Sequence, residues 1–182
     1  FARENTLSQV LVTSLLPASY IDSDTVNKLV GQTAQLLNGI PLDEEQQRLA
    51  FDVFPSPKST ASLAAQVEKI FPQLSNVIFH QVHVPVFYGM AQMVTLRSEY
   101  EFDTQAQLHA WQANELVDYR EASALTPVTN GEAEAGEAPK LHIGGLTALE
   151  NGMQFWLVAD EQRFDIALLG MKLAELVYQK GY

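Results

Sequence analysis

The side chains best suited to acid–base or metal chemistry are four histidines, His80, His83, His109 and His142. His80 and His83 stand three apart in a stretch with extended patterning. Strand alternation sends such a pair to opposite faces rather than onto one ion, so ordinary sheet or rim histidines are expected. Gly144-Gly145 lacks the spaced third glycine and the following helix of a phosphate-cradling loop; a strand bulge or a close backbone approach is expected instead. Glu132, Glu134 and Glu137 lack the spacing and the terminal bidentate glutamate of a calcium loop and read as a solvated loop, and Asp43-Glu44-Glu45 reads as a charged turn. Cysteine is absent from the 182 residues. That removes thiol nucleophiles, thiolate metal sites and disulfides from them, and it fits a reducing compartment. Spacing nominates no Ser/His/Asp constellation, because those residues need only meet in space. Residue types alone assign no catalytic or metal site.

Composition bounds the rest. There are 22 Asp and Glu against 11 Lys and Arg, a formal net charge of −11, with 47% apolar and 18% charged residues. That balance belongs to a folded domain rather than a disordered chain, with apolar content enough for one sizeable core or two small ones. The acidity argues against nucleic acid as a partner, which calls for Lys and Arg gathered on one face. No apolar run reaches the roughly 20 residues of a membrane span, and Phe1-Ala-Arg-Glu-Asn-Thr6 does not read as a signal peptide. An acidic, soluble, cytoplasmic domain is the expectation.

The elements that would position any site alternate between strand and helix. Gln9 to Leu16 is apolar on both faces, as in a strand covered on both sides, and ends at Pro17. Asp22 to Leu37 carries helical spacing (Val26, Leu29, Val30, Thr33, Leu36, Leu37), with Asp22 or Ser23 as the cap and Gly39 just past the end. Arg48 to Phe54 reads as a short strand stopped by Pro55 and Pro57. Ser59 caps a helix to about Phe71, with Leu63, Val67 and Ile70 on one face, broken by Pro72. Val77 to Phe102 is extended apart from Pro85 to Gly89. Its last part alternates between Val94, Leu96, Tyr100 and Phe102 on one side and Thr95, Arg97, Glu99 and Glu101 on a solvated side. Asp103 caps a helix to about Asn114. Thr126 to Lys140 is polar and acidic and reads as a mobile surface loop. Leu141 to Leu149 and Met153 to Ala159 flank Asn151-Gly152, a hairpin signal. An amphipathic helix from about Phe164 to Lys180 follows, with Ile166, Leu169, Leu173, Leu176 and Val177 on one face. The pattern predicts one α+β domain over residues 1–182: a mixed, largely antiparallel sheet with three or four helices.

Taken together, certain blocks carry a resemblance. They are Val12 to Asp22, Gln32-Thr-Ala-Gln-Leu-Leu-Asn-Gly39 and Ala50-Phe-Asp-Val-Phe-Pro55, then Val82-His-Val-Pro-Val-Phe-Tyr-Gly-Met90, Trp156-Leu-Val-Ala-Asp160 and Ala167 to Leu176. In that order and at those separations they resemble the C-terminal dimerisation domain of the aspartate-semialdehyde dehydrogenase family, and look most like its Usg-type bacterial paralogues. Val-Pro-Val-Phe-Tyr-Gly is the most specific piece. The resemblance implies a longer protein of about double the length, whose other half holds the Gly-rich nucleotide-binding domain and the nucleophilic cysteine. It also implies helices against one face of the sheet and a twofold mate on the other, with the terminal helix packing back toward the nucleotide domain.

The active family uses NADP and phosphate to convert the aldehyde to aspartyl phosphate, and five of its positions fall within these residues. The Gln that orients the acyl intermediate corresponds to Leu16, within Leu15-Leu16-Pro17-Ala18-Ser19-Tyr20-Ile21-Asp22. The Arg that grips the substrate carboxylate corresponds to His83, which cannot form a bidentate fork. The acid/base His after Phe-Tyr-Gly corresponds to Met90, which carries no proton. A phosphate-binding Lys corresponds to Ser62, and an Asn on the nicotinamide side of the cofactor corresponds to Leu169. By resemblance, then, the catalytic positions (Leu16, His83, Met90) and the phosphate and cofactor positions (Ser62, Leu169) are all degenerate. Losing the acid/base group alone costs on the order of 10²–10⁴ in rate.

The expected function is therefore a dimerisation domain of a semialdehyde dehydrogenase-like pseudoenzyme with a scaffold or regulatory role. It would hold no cofactor or metal of its own, and would have a second copy or another protein as partner. Two alternatives stay open: an active NADP-dependent dehydrogenase with an altered substrate once joined to its other half, and a metabolite-sensing module whose pocket lining has become apolar.

Overall fold

The computed structural model describes residues 7–74, 76–121, 124–130 and 137–181, without the side chain of Ile166. Among them seven strands form one mixed sheet in the order β2-β3-β1-β4-β7-β6-β5. These are β1 (Leu7–Leu16), β2 (Phe54–Pro55), β3 (Val77–His83), β4 (Met90–Ser98), β5 (Val117–Arg120), β6 (Leu141–Leu149) and β7 (Gly152–Ala159). β1 runs parallel to β3 and β5 parallel to β6; the other pairs are antiparallel. The helices are α1 (Ser23–Leu37), α2 (Ala61–Ile70), α3 (Thr104–Gln112), α4 (Pro127–Asn130) and α5 (Ile166–Gln179). The expected α+β architecture, with its largely antiparallel sheet, is what the chain adopts.

The caps lie where the side chains allow. Asp22, Asp103 and Asp165 each accept a hydrogen bond from a backbone N–H three residues on, opening α1, α3 and α5, because a short carboxylate can satisfy a first-turn donor that the helix leaves orphaned. α2 begins instead after Thr60, whose hydroxyl donates to Phe79 O of β3; Ser59 Oγ accepts from Ala61 N.

One face of the sheet carries the main core. Val12, Val94, Leu96, Met153 and Phe155 lie in register across β1, β4 and β7 and pack with Leu74, Phe102 and Trp111. The Trp111 ring meets Phe155 edge-on, centroids 4.9 Å apart, the geometry aromatic quadrupoles favour. Each such buried side chain contributes about 1.5–3 kcal/mol. α2 presents Ala64 and Val67, with Phe71 just beyond it, to this core, while Ile70 is exposed. The predicted apolar face of that helix was thus rotated by one position.

The other face is only partly covered. Leu125 packs on Ala91 and Val158, and the Trp156 indole N–H donates to Leu125 O at 2.9 Å. Beyond that patch Ile78 and Met93 are 37% and 36% exposed, and Leu11 and Thr13 between them are half-buried. β1 is therefore covered on one side, not on both as its apolar run predicts.

Four further expectations change. Arg48 to Val53 is not strand, because its backbone is claimed by a side chain: Gln32 Oε1 accepts from Leu49 N and Ala50 N, and Gln32 Nε2 donates to Gln47 O. Only Phe54–Pro55 joins the sheet. β4 stops at Ser98, which leaves Tyr100 exposed and Phe102 buried, so the two no longer alternate as one strand. The hairpin turn lies at Glu150-Asn151, and Gly152 opens β7. Glycine is needed there because a Cβ would lie 2.0 Å from Leu96 O of β4. Of the predicted loop from Thr126 to Lys140, Pro127–Asn130 forms the α4 turn and residues 131–136, with Glu132 and Glu134, lie outside the described residues.

Candidate functional site

Three of the five singled-out positions come together. Leu16 ends β1 opposite His83, which ends β3, and Met90 starts β4 beside them, one step on from the Leu15–Ala91 pair. All three occupy the helix-bearing face at one end of the sheet. Strand parity puts them there: Ser14 and Gln92, two residues in from Leu16 and Met90, already meet across β1 and β4, Gln92 Nε2 donating to Ser14 Oγ at 3.0 Å. Ser62 and Leu169 stand apart from this trio, on the first turns of α2 and α5, and both are solvent-facing.

Two of the trio are buried, and Met90 is half-buried with its Sδ accepting from Gln92 Nε2. Leu16 is 1% and His83 6% exposed. The His83 ring is stacked on Phe54, with centroids 5.0 Å apart and planes at 23°, and its Nδ1 has no hydrogen-bond partner among the described residues. Burial, with Lys58 adding like charge, lowers the His83 pKa below the ordinary histidine value, so the ring is neutral at neutral pH. A neutral ring carries no charge for a carboxylate and offers no bidentate fork. The alternation argument held for His80, which is exposed while His83 is buried.

A carboxylate that sequence reasoning passed over ties this end of the sheet together. Glu161, just after β7, accepts from the Ser19 hydroxyl and from Gly89 N, the latter at 2.9 Å. It thereby joins the Ala18–Tyr20 turn to the Pro85–Gly89 loop, which the backbone also links through Ala18 N to Val86 O and Ser19 N to Phe87 O. Its neighbour Asp160 is buried and accepts from Gln162 N and Arg163 N. Nothing in the local spacing marks Glu161, because its partners lie 142 and 72 residues away.

A second polar cluster sits at the β5–β6 edge. Asp118 pairs with Arg120 and, at 2.9 Å, with His142 Nδ1. Burial pushes the Asp118 carboxyl up, but the hydrogen bonds from Arg120 and His142 prevail and hold it below its ordinary value. β5 carries no strand signal in the sequence, so this meeting was not legible there. Gly144 and Gly145 behave as expected: the β6 register shifts there, and a Cβ on Gly144 would lie 2.9 Å from Arg120 O. Among the described residues no group of three or more His, Cys, Asp or Glu could hold a metal ion, and no helix is long and apolar enough to cross a membrane.

Leu169, the position that the resemblance assigns to the cofactor, has no side-chain donor or acceptor and projects from α5 with 47% exposure.

Comparison with known proteins gives this end of the sheet its context. No family model matches the chain. It is 57% identical over 181 residues to the USG-1 protein homolog of Haemophilus influenzae, an alignment covering 99% of the chain and 55% of that protein. It is 26% identical over 187 residues to aspartate-semialdehyde dehydrogenase 2 of Vibrio cholerae, covering 94% of the chain and 54% of the relative. The chain spans about half the length of the curated relatives it matches. In fold it is similar to aspartate semialdehyde dehydrogenase II of Vibrio cholerae, with a TM-score of 0.82 and 23% identity over 99% of the chain and 57% of the enzyme. A probable aspartate-semialdehyde dehydrogenase of Pseudomonas aeruginosa gives a TM-score of 0.83 at 23% identity, over 97% and 57%. The chain is a homologue of the USG-1 protein homolog and is, more distantly, similar to aspartate-semialdehyde dehydrogenases over about half of their length.

Proposed function

We propose that the chain is the subunit-pairing half of a semialdehyde dehydrogenase-like protein that has lost the parent reaction, and that pairing with a second copy is its retained property. The observation that carries this is the content of the strand-end trio. Leu16, His83 and Met90 sit together at one end of the sheet, and the one ionisable side chain among them is His83, neutral, buried and stacked on Phe54. The fold-forming blocks persist, while the charged carboxylate clamp and the acid/base histidine that the resemblance calls for are replaced by His83 and Met90.

Pairing is supported by the partly covered sheet face. Ile78, Leu11 and Thr95 lie in one row across β3, β1 and β4, and His80, Thr13, Met93 and Trp156 in the next row, extending to β7. A largely apolar, flat surface of this kind asks for cover, and isologous contact is the commonest way a protomer supplies it. The apolar stripe of α5 (Leu169, Leu173, Leu176, Val177) is likewise exposed. It would pack on the nucleotide-binding half of a full-length protein, which is where any NADP would bind. The role is a scaffold or regulator of another cytoplasmic protein.

NADP reduction by the full-length protein with aspartate semialdehyde and phosphate tests the reading, alongside an active dehydrogenase. The expected result is no rate above background from a folded, paired protein. A clear rate would overturn it.

A further inference from the structure

A cleft of about 570 Å³ lies between α1 and the segment leading to β2, outside the strand-end trio. That volume falls within the range of about 300–1,000 Å³ typical of small-molecule sites. Its α1 wall carries Lys28, Gly31 and Gln35, one helical stripe; the facing wall carries Gln46, Gln47 and Phe54. Gln32 builds the cleft. Its buried side-chain amide donates to Gln47 O and accepts from Leu49 N and Ala50 N, holding the segment to the helix. The other glutamines are therefore left to line the space.

Two independent features point to an occupant. The first is electrostatic. In a chain of net charge −11, no carboxylate lines this cleft among the described residues; Asp22, at the start of α1 and outside the lining, is the acidic group on which Lys28 acts, and it is held by Thr25. Asp43, three residues before Gln46 and outside the lining, accepts from Gln46 Nε2 at 3.3 Å. The second is Gly31, in the middle of a 15-residue helix where glycine is the poorest choice after proline. Packing does not demand it, because a Cβ built there meets nothing within 4 Å. A glycine that no neighbour requires, on the wall of a cleft, leaves the helix backbone open to close approach by whatever fills the space.

We propose that this cleft binds a small aromatic carboxylate. The anion is held by Lys28 Nζ, the ring lies along Phe54 and the bare helix surface at Gly31, and the amides of Gln35, Gln46 and Gln47 serve its polar edge. This site is independent of the pseudoenzyme reading. It uses none of the trio residues and stands or falls separately.

Titration of the chain with benzoate, benzamide and acetate, followed by backbone and side-chain amide NMR, tests it. Benzoate is expected to shift the amides of α1 and of residues 46–54 saturably. Benzamide, which lacks the charge, should bind about tenfold more weakly, and acetate, which lacks the ring, should not saturate. Lys28→Met should weaken benzoate about tenfold. Gly31→Leu, which fills the cleft from a helix-compatible side chain, should abolish binding while the spectrum stays dispersed. The proposal fails if benzoate does not saturate these amides, or if its shifts map elsewhere. It fails equally if benzamide binds as well as benzoate, or if both variants keep the wild-type affinity.

Discussion

His83 lies face to face with Phe54, ring centroids 5.0 Å apart, so the last residue of β3 is held in place by a two-residue edge strand. The contact explains why the ring is neutral: an imidazolium there would lose hydration without gaining a partner.

A pH dependence follows. The His83 pKa is lowered in the fold by burial and by Lys58, so the unfolded chain binds this proton more readily than the native one. The stabilising contribution is complete above the unfolded value near 6.5 and is lost as pH falls from there through the folded value. Thermal stability should drop between pH 7.5 and 5.5, with a slope from this group of no more than about 1.4 kcal/mol per pH unit. His83→Gln should flatten that drop. An equal drop in the variant would assign it elsewhere.

Glu161 is expected to act as a staple. Glu161→Ala removes the acceptor shared by Ser19 and Gly89 and should cost about 1–3 kcal/mol in urea unfolding. Hydrogen exchange at the Gly89 amide should rise with it, and Glu161→Gln should restore part of both. Unchanged exchange at Gly89 would show that the backbone ties from Ala18 and Ser19 suffice.

Gln32 offers a sharper case, because one amide serves three backbone groups, one of them the buried Ala50 N. Gln32→Ala should destabilise by about 2–4 kcal/mol and raise exchange at Leu49 and Ala50 before the sheet core is affected. A uniform rise across the sheet would mean that the segment does not open on its own.

How much of this was legible in the sequence depended on the range of the interaction. Caps at Asp22 and Asp103 and the β6–β7 hairpin rest on neighbours a few residues apart, and all were readable. Arg48 to Val53 has strand-like composition, but Gln32, fifteen or more residues away, occupies its backbone groups. β5 is four residues long and is defined by its parallel pairing with β6 and by Trp111 against Tyr119, neither of which leaves a local pattern. The same holds at the site. Leu16, His83 and Met90 were placed by the likeness of their flanking blocks, whereas Glu161 belongs to no motif and is visible only once the fold brings Ser19 and Gly89 to it.

The sheet face gives the decisive prediction about assembly. Ile78 and Met93 lie in adjacent rows on the side opposite the main core, each a little over a third exposed. A stable pairing needs roughly 800 Å² from each protomer, and the exposed apolar side chains opposite the main core lie across β3, β1 and β4. A carboxylate placed in the middle of that area would be buried without a partner, which costs several kcal/mol in an interface and nothing comparable in a lone protomer, where it reaches water. Met93→Glu should therefore convert a dimer to a folded monomer in sedimentation equilibrium, with the far-ultraviolet circular dichroism unchanged. Tyr100→Glu, at an exposed site beyond the end of β4, is the control and should leave the dimer intact. If the unaltered chain sediments as a monomer at micromolar concentration, or if Met93→Glu pairs as well as it does, the sheet face is not the pairing surface.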